Sequence, residues 1–380
     1  MPVNGSLQAR PLEAFLREDT QGLVWRDAHL HIGQNDPDGV KGTLAEILGG
    51  LDAAGHASGL VYPMHEPGGY PPANDMIAEQ VAASGGRLRW LLRVDPNAPG
   101  ALAEARRAFG LGAAGIKLHP RSDSFGMPHP VVEELVALAA AQRAPVLFHA
   151  GRGIPELGLA TAELARRHPD ARLILAHAGI SDLGQLGPAA AELPNLLFDT
   201  SWLFAGDMLT LLSSVPPGQI LYGSDMPYGT GLAAAFLLAR GARAVGIGED
   251  ALRSMAGEQL ERVLAGEELA AFGPAVGPAA LGPRVPALER VVSHTAAALM
   301  VSFATGDPLE AISLARLGCQ HADGNEHAEL LDTCDRLLEL GAAQRIAATE
   351  DELRFAIVPA VNCAHVLAAT PTVPVPRAPF

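Results

Sequence analysis

Two histidines, His29 and His31, lie one residue apart in the short apolar stretch RDAHLHIG. Side chains alternate between the two faces of a β-strand, so in a strand both imidazoles point to the same side, with Cα atoms about 7 Å apart. Two rings in this arrangement can bind the same metal ion. The pair alone is a weak indication, because two polar residues on one strand face also occur without a ligand. Its significance depends on which other residues end strands in this chain.

Five more ionisable residues follow short apolar runs, each close to a glycine or proline turn. They are Lys117 and His119 in GIKLHP, His149 in VLFHAG, His177 in ILAHAG and Asp225 in LYGSDMPYG. Neutral imidazoles with one carboxylate suit Zn²⁺ or a similar divalent ion, and three histidines with one aspartate leave room for a water molecule. The ion lowers the pKa of such a water toward about 7, and a further histidine moves protons or polarises the substrate. The pattern therefore predicts a catalytic metal site.

Eight short apolar runs alternate regularly with segments of helical periodicity. The runs predicted to be strands begin at Leu23, Ser58, Leu88, Gly112, Ala144, Arg172, Asn195 and Gln219. Near-continuous apolar strands indicate a parallel sheet covered on both faces, and eight such units over about 250 residues are typical of a (β/α)8 TIM-type barrel. Active-site groups of this fold lie at the C-terminal ends of the strands, where the histidines fall. A doubly wound open sheet is the alternative, but no glycine-rich phosphate loop follows the first run.

The composition argues against several classes of partner. The formal net charge of -15 disfavours binding to nucleic acid or to an anionic membrane. The three cysteines, Cys319, Cys334 and Cys363, imply no disulfide framework. The N-terminal residues lack the pattern of a signal peptide, and no apolar run is long enough to span a bilayer. We expect a cytoplasmic protein that acts on a small molecule.

The motifs DAHLHIG, GIKLHP, PVLFHAGRG, LAHAG and LYGSDMPYG, in this order, resemble those of the amidohydrolase superfamily. More narrowly, they resemble the amidohydrolase-related branch that includes aminocarboxymuconate-semialdehyde decarboxylase. The resemblance implies that His29, His31, His149 and Asp225 are metal ligands. It also implies that His177 acts in catalysis or binds a second metal ion, and that Asp225 takes a proton from the attacking water.

The resemblance leaves the reaction and the number of metal ions open. We expect hydrolysis of a C–N or C–O bond (amide, lactam, lactone or ester) in a small organic acid, with decarboxylation of an unsaturated or aromatic acid as the alternative. The favoured site holds one ion, most simply Zn²⁺, and Lys117 is then an ammonium that binds a substrate carboxylate or stabilises the transition state. In the alternative site Lys117 is carbamylated and bridges two ions, with His149 and His177 on the second.

Several residues near the strand ends have two possible roles. Arg152 is expected to bind a substrate carboxylate, although a loop arginine paired with an acid is nearly as plausible. Trp202 either lines the pocket or packs under a loop. His65 is expected to be an ordinary loop residue. Three further histidines, in helices or turns, are predicted to lie on the surface: His56, His129 and His168.

The chain continues beyond the predicted barrel, which we place at residues 1–270. A segment rich in proline, glycine and alanine, residues 271–286, has the composition of a linker. Residues 287–380 contain three helical stretches and a possible fourth from Thr349 that Pro359 interrupts. Such a short helical module needs another surface for its apolar faces, so we expect it to serve self-association or contact with a partner, with a homo-oligomer as the favoured result. Its cysteines are predicted to be buried packing residues rather than metal ligands.

Overall fold

The computed structural model describes residues 9–37, 39–304, 306–348 and 357–380. Its centre is one sheet of eight strands in sequential order, each parallel to the next. The strands are β1 Arg26–Ile32, β2 Ser58–Pro63, β3 Leu88–Arg93, β4 Gly115–Leu118, β5 Pro145–Phe148, β6 Arg172–Leu175, β7 Leu196–Asp199 and β8 Ile220–Leu221. The ring closes where Ala28 N donates to Tyr222 O at 2.9 Å and Leu30 bridges Met226. This arrangement confirms the predicted (β/α)8 barrel.

Helices alternate with the strands and cover the sheet. The first, α1 (Ala9–Thr20), precedes the barrel. One helix follows each strand: α2 Leu44–Ala54, α3 Pro71–Ala82, α4 Ala101–Gly110, α5 Pro130–Ala141, α6 Leu157–Arg167, α7 Leu183–Ala190, α8 Ala205–Ser214 and α9 Gly231–Ala244. The shorter α10 (Glu249–Arg253) and α11 (Gln259–Ala265) complete the barrel, joined by a π-helical turn at Ser254–Glu258.

Local sequence signals determine where helices begin and end. At the start of α2, Thr43 Oγ1 accepts from Glu46 N at 3.2 Å and Glu46 Oε2 accepts from Thr43 N at 2.9 Å, which is a complete capping box. The helix ends at Gly55 with φ 76°, a conformation that glycine adopts without steric cost. Before α5, His129 Nδ1 accepts from Val131 N at 3.2 Å, so this partly buried histidine is a helix cap.

Apolar side chains from the strands fill the inside of the barrel. They form one cluster with two residues of α11, Leu260 and Val263. The strand residues are Ala28, Leu60, Tyr62, Leu91, Leu147, Ile174, Leu197 and Leu221. The interior is therefore packed and forms no channel, as is usual for this fold, and polar groups are concentrated at the strand ends.

One histidine prediction is wrong. His56 was expected on the surface, but it is only 3% exposed. Its ring packs against Tyr222, with centroids 5.2 Å apart, and near Trp25. This burial depends on a residue about 170 positions away, which no local pattern reveals.

The C-terminal extension is helical, as predicted. It comprises α12 (Pro286–Phe303), α13 (Leu309–Gly318), α14 (Ala328–Ala347) and α15 (Val358–Ala369). Pro359 lies in the first turn of α15, where its missing N–H breaks no helical hydrogen bond, and the interruption of a longer helix at this proline stays a prediction. The beginning of that predicted helix, residues 349–356, lies outside the described part of the chain.

The extension packs directly on the barrel. Helix α15 contacts α1, α8 and α9. The buried Arg240 of α9 donates to Val373 O at 2.9 Å and to Pro374 O at 3.0 Å, and it pairs with Asp19 of α1 at 2.8 Å. The domain boundaries at residues 270 and 286 stay predictions, as does independent folding of the barrel and the extension.

The three cysteines of the extension are buried and free of disulfides. Burial raises the pKa of the Cys319 thiol to about 12. These positions agree with the predicted packing role. In the described part of the chain, no helix combines the length and the apolar character needed to cross a lipid bilayer.

Candidate active site

The predicted ligands gather at the C-terminal end of the barrel. His29 and His31 lie on β1, whose register shifts between Asp27 and Leu30. The others come from elsewhere on the ring: His149 follows β5, His177 follows β6 and Asp225 follows β8. The strand order thus joins segments that are almost 200 residues apart in the chain.

The closest contacts join β1 with the loop after β8. His29 Nε2 lies 3.2 Å from His31 Nε2, and Asp225 Oδ1 lies 3.0 Å from the first nitrogen and 2.9 Å from the second. Ligand atoms of His29, His177 and Asp225 all lie within 4.8 Å of one another. His149 joins this group through His177, with its Nδ1 3.2 Å from His177 Nε2. All five predicted ligands therefore belong to one cluster, in which His149 is partly buried and the other four residues are buried.

Most histidines of the cluster are neutral near pH 7. Burial lowers the pKa of His31 to about 3 and that of His177 to about 4. Burial also holds the pKa of His149 well below its ordinary value. Neutral imidazoles keep a lone pair on one ring nitrogen, which is the form that binds a metal ion.

His29 is the exception, because two carboxylates face it. Burial lowers its pKa, but Asp199 and Asp225 more than offset this effect and raise the pKa to about 9. For Asp225, burial raises the pKa, but the contacts with His29 and His31 outweigh burial and hold the pKa well below its ordinary value. In protonated His29, Nδ1–H faces Asp199, and the second proton is on Nε2, the nitrogen that faces His31 and Asp225. A divalent cation fits this nitrogen and oxygen donor set and would replace that proton.

Sequence analysis missed Asp199, the last residue of β7. Its Oδ2 accepts from His29 Nδ1 at 2.7 Å, and its Oδ1 accepts from His177 N at 2.9 Å. Both contacts are fully buried. A carboxylate in this position fixes the tautomer of a ligand histidine and leaves its Nε2 free for an ion. The signal was present in FDTSW, since an aspartate ends this strand at the same end as the other polar residues.

We expect Asp199→Asn to lower the affinity for the divalent ion by about 10- to 100-fold, because the amide neither fixes His29 Nδ1–H as firmly nor stabilises its charge. Competition with a chelating dye, using Zn²⁺ and Mn²⁺ in turn, measures this affinity. Asp52→Asn, which changes an exposed carboxylate that pairs with Arg87, is the matched control. An unchanged affinity in Asp199→Asn would contradict the role assigned to Asp199.

Three residues around the cluster have a backbone conformation that is rare outside glycine. They are His177 with φ 55°, Trp202 with φ 56° and Asp225 with φ 62°. Each costs about 1–3 kcal/mol and persists only when its surroundings hold it. Asp225 N, for example, donates to His29 O at 3.0 Å. Strain of this kind concentrates at functional sites.

Lys117 lies behind the cluster. Its ammonium is fully buried, 4.5 Å from the centre of the Tyr62 ring, and has no hydrogen-bond partner among the described residues. Burial lowers its pKa to about 7, although the carboxylates of Asp199 and Asp225 act in the opposite direction. The side chain does not line the cavity above the cluster. Direct contact with a substrate therefore stays a prediction for this residue.

A cavity of about 630 Å³ opens over the cluster. His31, His149, His177 and Asp225 form part of its lining. His119 lines it too, stacked on His149 with centroids 3.8 Å apart, and so does the partly buried His65.

The two predicted substrate-binding residues also line this cavity. Arg152 is 51% exposed at its side chain and forms an ion pair with Asp207. Trp202 is 43% exposed, and its ring lies 5.0 Å from that of Phe303. Both are placed where a substrate could reach them, and their roles in binding stay predictions.

The barrel and the cluster at its strand ends define a class of enzymes, the (β/α)8 barrels whose active centre fits a divalent metal ion. The chain belongs to the amidohydrolase family, since a family model described as amidohydrolase matches residues 27–258. Helices α12–α15 lie beyond this match. A search of curated proteins gave no match.

Several solved structures share the fold. An amidohydrolase from Burkholderia multivorans with bound HEPES has a TM-score of 0.52 at 15% identity, covering 64% of this chain and 99% of its own. The apo form of an IDCase from Metarhizium anisopliae has a TM-score of 0.52 at 15% identity, covering 66% and 99%. A dihydroxybenzoic acid decarboxylase from Polaromonas sp. JS666, with manganese and an inhibitor bound, has a TM-score of 0.50 at 16% identity, covering 64% and 97%. At these identities the likeness shows the fold alone.

Proposed function

We propose that this amidohydrolase-family enzyme binds one divalent metal ion, Zn²⁺ in the simplest case, through His29, His31, His149 and Asp225. The observation that carries the proposal is the group of three ligand atoms, on His29, His31 and Asp225, that lie 2.9–3.2 Å from one another inside the protein. Nitrogen and oxygen donors at this density favour a bound cation, because one divalent ion can contact all three atoms and replace the proton that His29 otherwise carries.

The proposed reaction is hydrolysis of a C–N or C–O bond in an organic acid. When bound, the ion supplies Lewis acidity that polarises a carbonyl and activates water. In this proposal the ionised carboxylate of Asp225 accepts the proton of the attacking water. His177 is neutral and lines the same cavity, so its ring can take up that proton and pass it to the leaving group.

Recognition of the substrate falls to cationic residues on the cavity wall. The exposed guanidinium of Arg152 is available for a carboxylate, although it must exchange its partner Asp207 for the substrate. Such an exchange between two carboxylates costs little at a half-exposed site, because a surface ion pair contributes about 1 kcal/mol or less.

A panel of substrates tests the reaction. We expect metal-loaded protein to release acid from a lactone, ester or amide and to release no CO₂ from unsaturated or aromatic acids. A pH indicator measures the acid released from lactones and esters, liquid chromatography measures the products of amide hydrolysis, in which the amine takes up the proton, and a coupled carboxylase assay measures the CO₂. Decarboxylation is the alternative, because a decarboxylase with bound manganese shares the fold. Release of CO₂ alone would overturn the hydrolytic proposal, and parallel loading with Zn²⁺ and Mn²⁺ identifies the preferred ion.

A further inference from the structure

The C-terminal extension contributes two apolar side chains to the active-site cavity. Met300 and Phe303, both on α12, line the same cavity as His31 and Asp225. Met300 is 52% exposed, and Phe303 is partly buried. Helix α12 begins well after the end of the amidohydrolase match at residue 258. The wall that it forms therefore lies outside the part of the chain that matches the amidohydrolase model.

A third apolar side chain meets this wall from the barrel. The ring of Trp202, in the loop after β7, lies 5.0 Å from the Phe303 ring at an angle of 45°. Trp202 is 43% exposed, so packing in the core does not account for an aromatic residue at this position. Its φ is positive, a conformation that a bulky side chain disfavours, so the backbone does not account for it either. Exposed apolar area of this kind is stabilised when a ligand covers it.

A buried histidine fixes α12 relative to the Trp202 loop. His365 of α15 is 1% exposed, and burial lowers its pKa to about 4, so the ring is neutral. Its Nε2 accepts from Ala205 N at 3.3 Å, at the start of α8. Its Nδ1 then carries the proton and donates to Thr295 Oγ1 of α12 at 2.9 Å. The His365 side chain thus connects α12 to the start of α8, next to the loop that carries Trp202. These contacts hold Phe303 and Trp202 in fixed positions relative to each other.

We propose that the extension forms the apolar half of the substrate site, and that Met300, Phe303 and Trp202 bind an aromatic or branched hydrocarbon group of an organic acid. The reacting end of that acid lies at the ligand cluster, and this part rests on the proposed function. The cavity volume of about 630 Å³ is in the range of about 300–1,000 Å³ that holds larger ligands, so a bulky acid fits.

Direct binding of two carboxylates tests the proposal without any turnover. The probes are 4-phenylbutyrate, which has a hydrocarbon tail, and acetate, which has none. Fluorescence titration reports binding, because Trp202 is exposed while Trp25 and Trp90 are both buried. We expect Phe303→Ala and Met300→Ala each to weaken 4-phenylbutyrate binding by about tenfold and to leave acetate binding unchanged. Phe303→Leu, which keeps an apolar side chain, should retain most of the affinity.

The matched control is Leu317→Ala, which removes an equally exposed apolar side chain from α13, outside the cavity. It should change neither probe. Equal effects on both probes, or none in Phe303→Ala and Met300→Ala, would overturn the proposal. Met300 is half exposed, so its replacement leaves the fold intact even if Phe303→Ala proves unstable. Selective loss of 4-phenylbutyrate binding in a protein that hydrolyses none of the panel would support this inference while the proposed function fails.

Discussion

Replacing His31 with alanine is expected to remove the metal ion and to lower activity by about 10³-fold. The expected loss is large because the ion supplies several kcal/mol of transition-state stabilisation, and each 1.36 kcal/mol is worth about tenfold in rate. His31 Nε2 lies 2.9 Å from Asp225 Oδ1 and 3.2 Å from His29 Nε2, so its removal opens one side of the cluster. Elemental analysis after reloading with Zn²⁺ or Mn²⁺ measures the metal, and the substrate found in the panel measures the rate.

Thermal unfolding gives a second measurement of the same effect. A ligand that binds only the folded state stabilises it, so chelation should lower the unfolding midpoint of the wild-type protein and leave that of His31→Ala almost unchanged. His168→Ala is the control, because His168 pairs with Glu133 far from the cluster. Equal metal content in His31→Ala and wild-type protein would show that the cluster is not a metal site.

Replacing Lys117 with methionine is expected to lower kcat by about 100-fold while one metal ion per chain is retained. The buried Lys117 side chain lies over the Tyr62 ring, where burial lowers its pKa to about 7 and the charges of Asp199 and Asp225 act in the opposite direction. A positive charge in this dry environment stabilises negative charge that develops on the substrate, and removal of one such group costs about 10²–10³-fold. Steady-state kinetics and metal analysis of the same preparation separate the two effects.

The chain contains only two lysines, and the exposed Lys41 provides the control through Lys41→Met. Two metal equivalents in the wild-type protein, dependent on bicarbonate and lost together with activity in Lys117→Met, would contradict the single-ion site. That result would instead show a carbamylated Lys117 that bridges two ions. The same lysine thus decides between the two sites that the sequence leaves open.

The barrel and the gathering of the candidate ligands at its strand ends were predictable because their signals are local. Each of His149, His177 and Asp225 follows a short apolar strand and precedes a turn, and the parallel barrel brings all such strand ends together. Asp199 has the same signal, yet its partner is a histidine 170 positions earlier, so its role became visible only in the fold. His56 was misassigned for a related reason, since Tyr222, which buries it, follows β8.

The contribution of α12 to the cavity was not predictable from the sequence. Met300 and Phe303 have the spacing of an ordinary helix face, and their position depends on how α15 docks on α8 and α9. That docking involves contacts between residues far apart in the chain, such as the hydrogen bond from Ala205 N to His365 Nε2, whose residues are 160 positions apart. Self-association through the extension, which the apolar helices suggested, stays a prediction, as does a cytoplasmic location.

The candidate metal ligands and the α12 wall lie on separate parts of the chain, and this separation has a consequence for the evolution of substrate specificity. The candidate ligands lie at the strand ends of the barrel, where we expect a substitution to alter the reaction itself. Met300 and Phe303 lie on a helix that follows the barrel in the chain, so we expect mutations there to preserve the geometry of the candidate ligands. Gene duplicates can thus acquire new substrates through the extension while they keep the same chemistry. Libraries randomised at positions 300 and 303 are the laboratory equivalent, and they should yield altered selectivity with unchanged metal content.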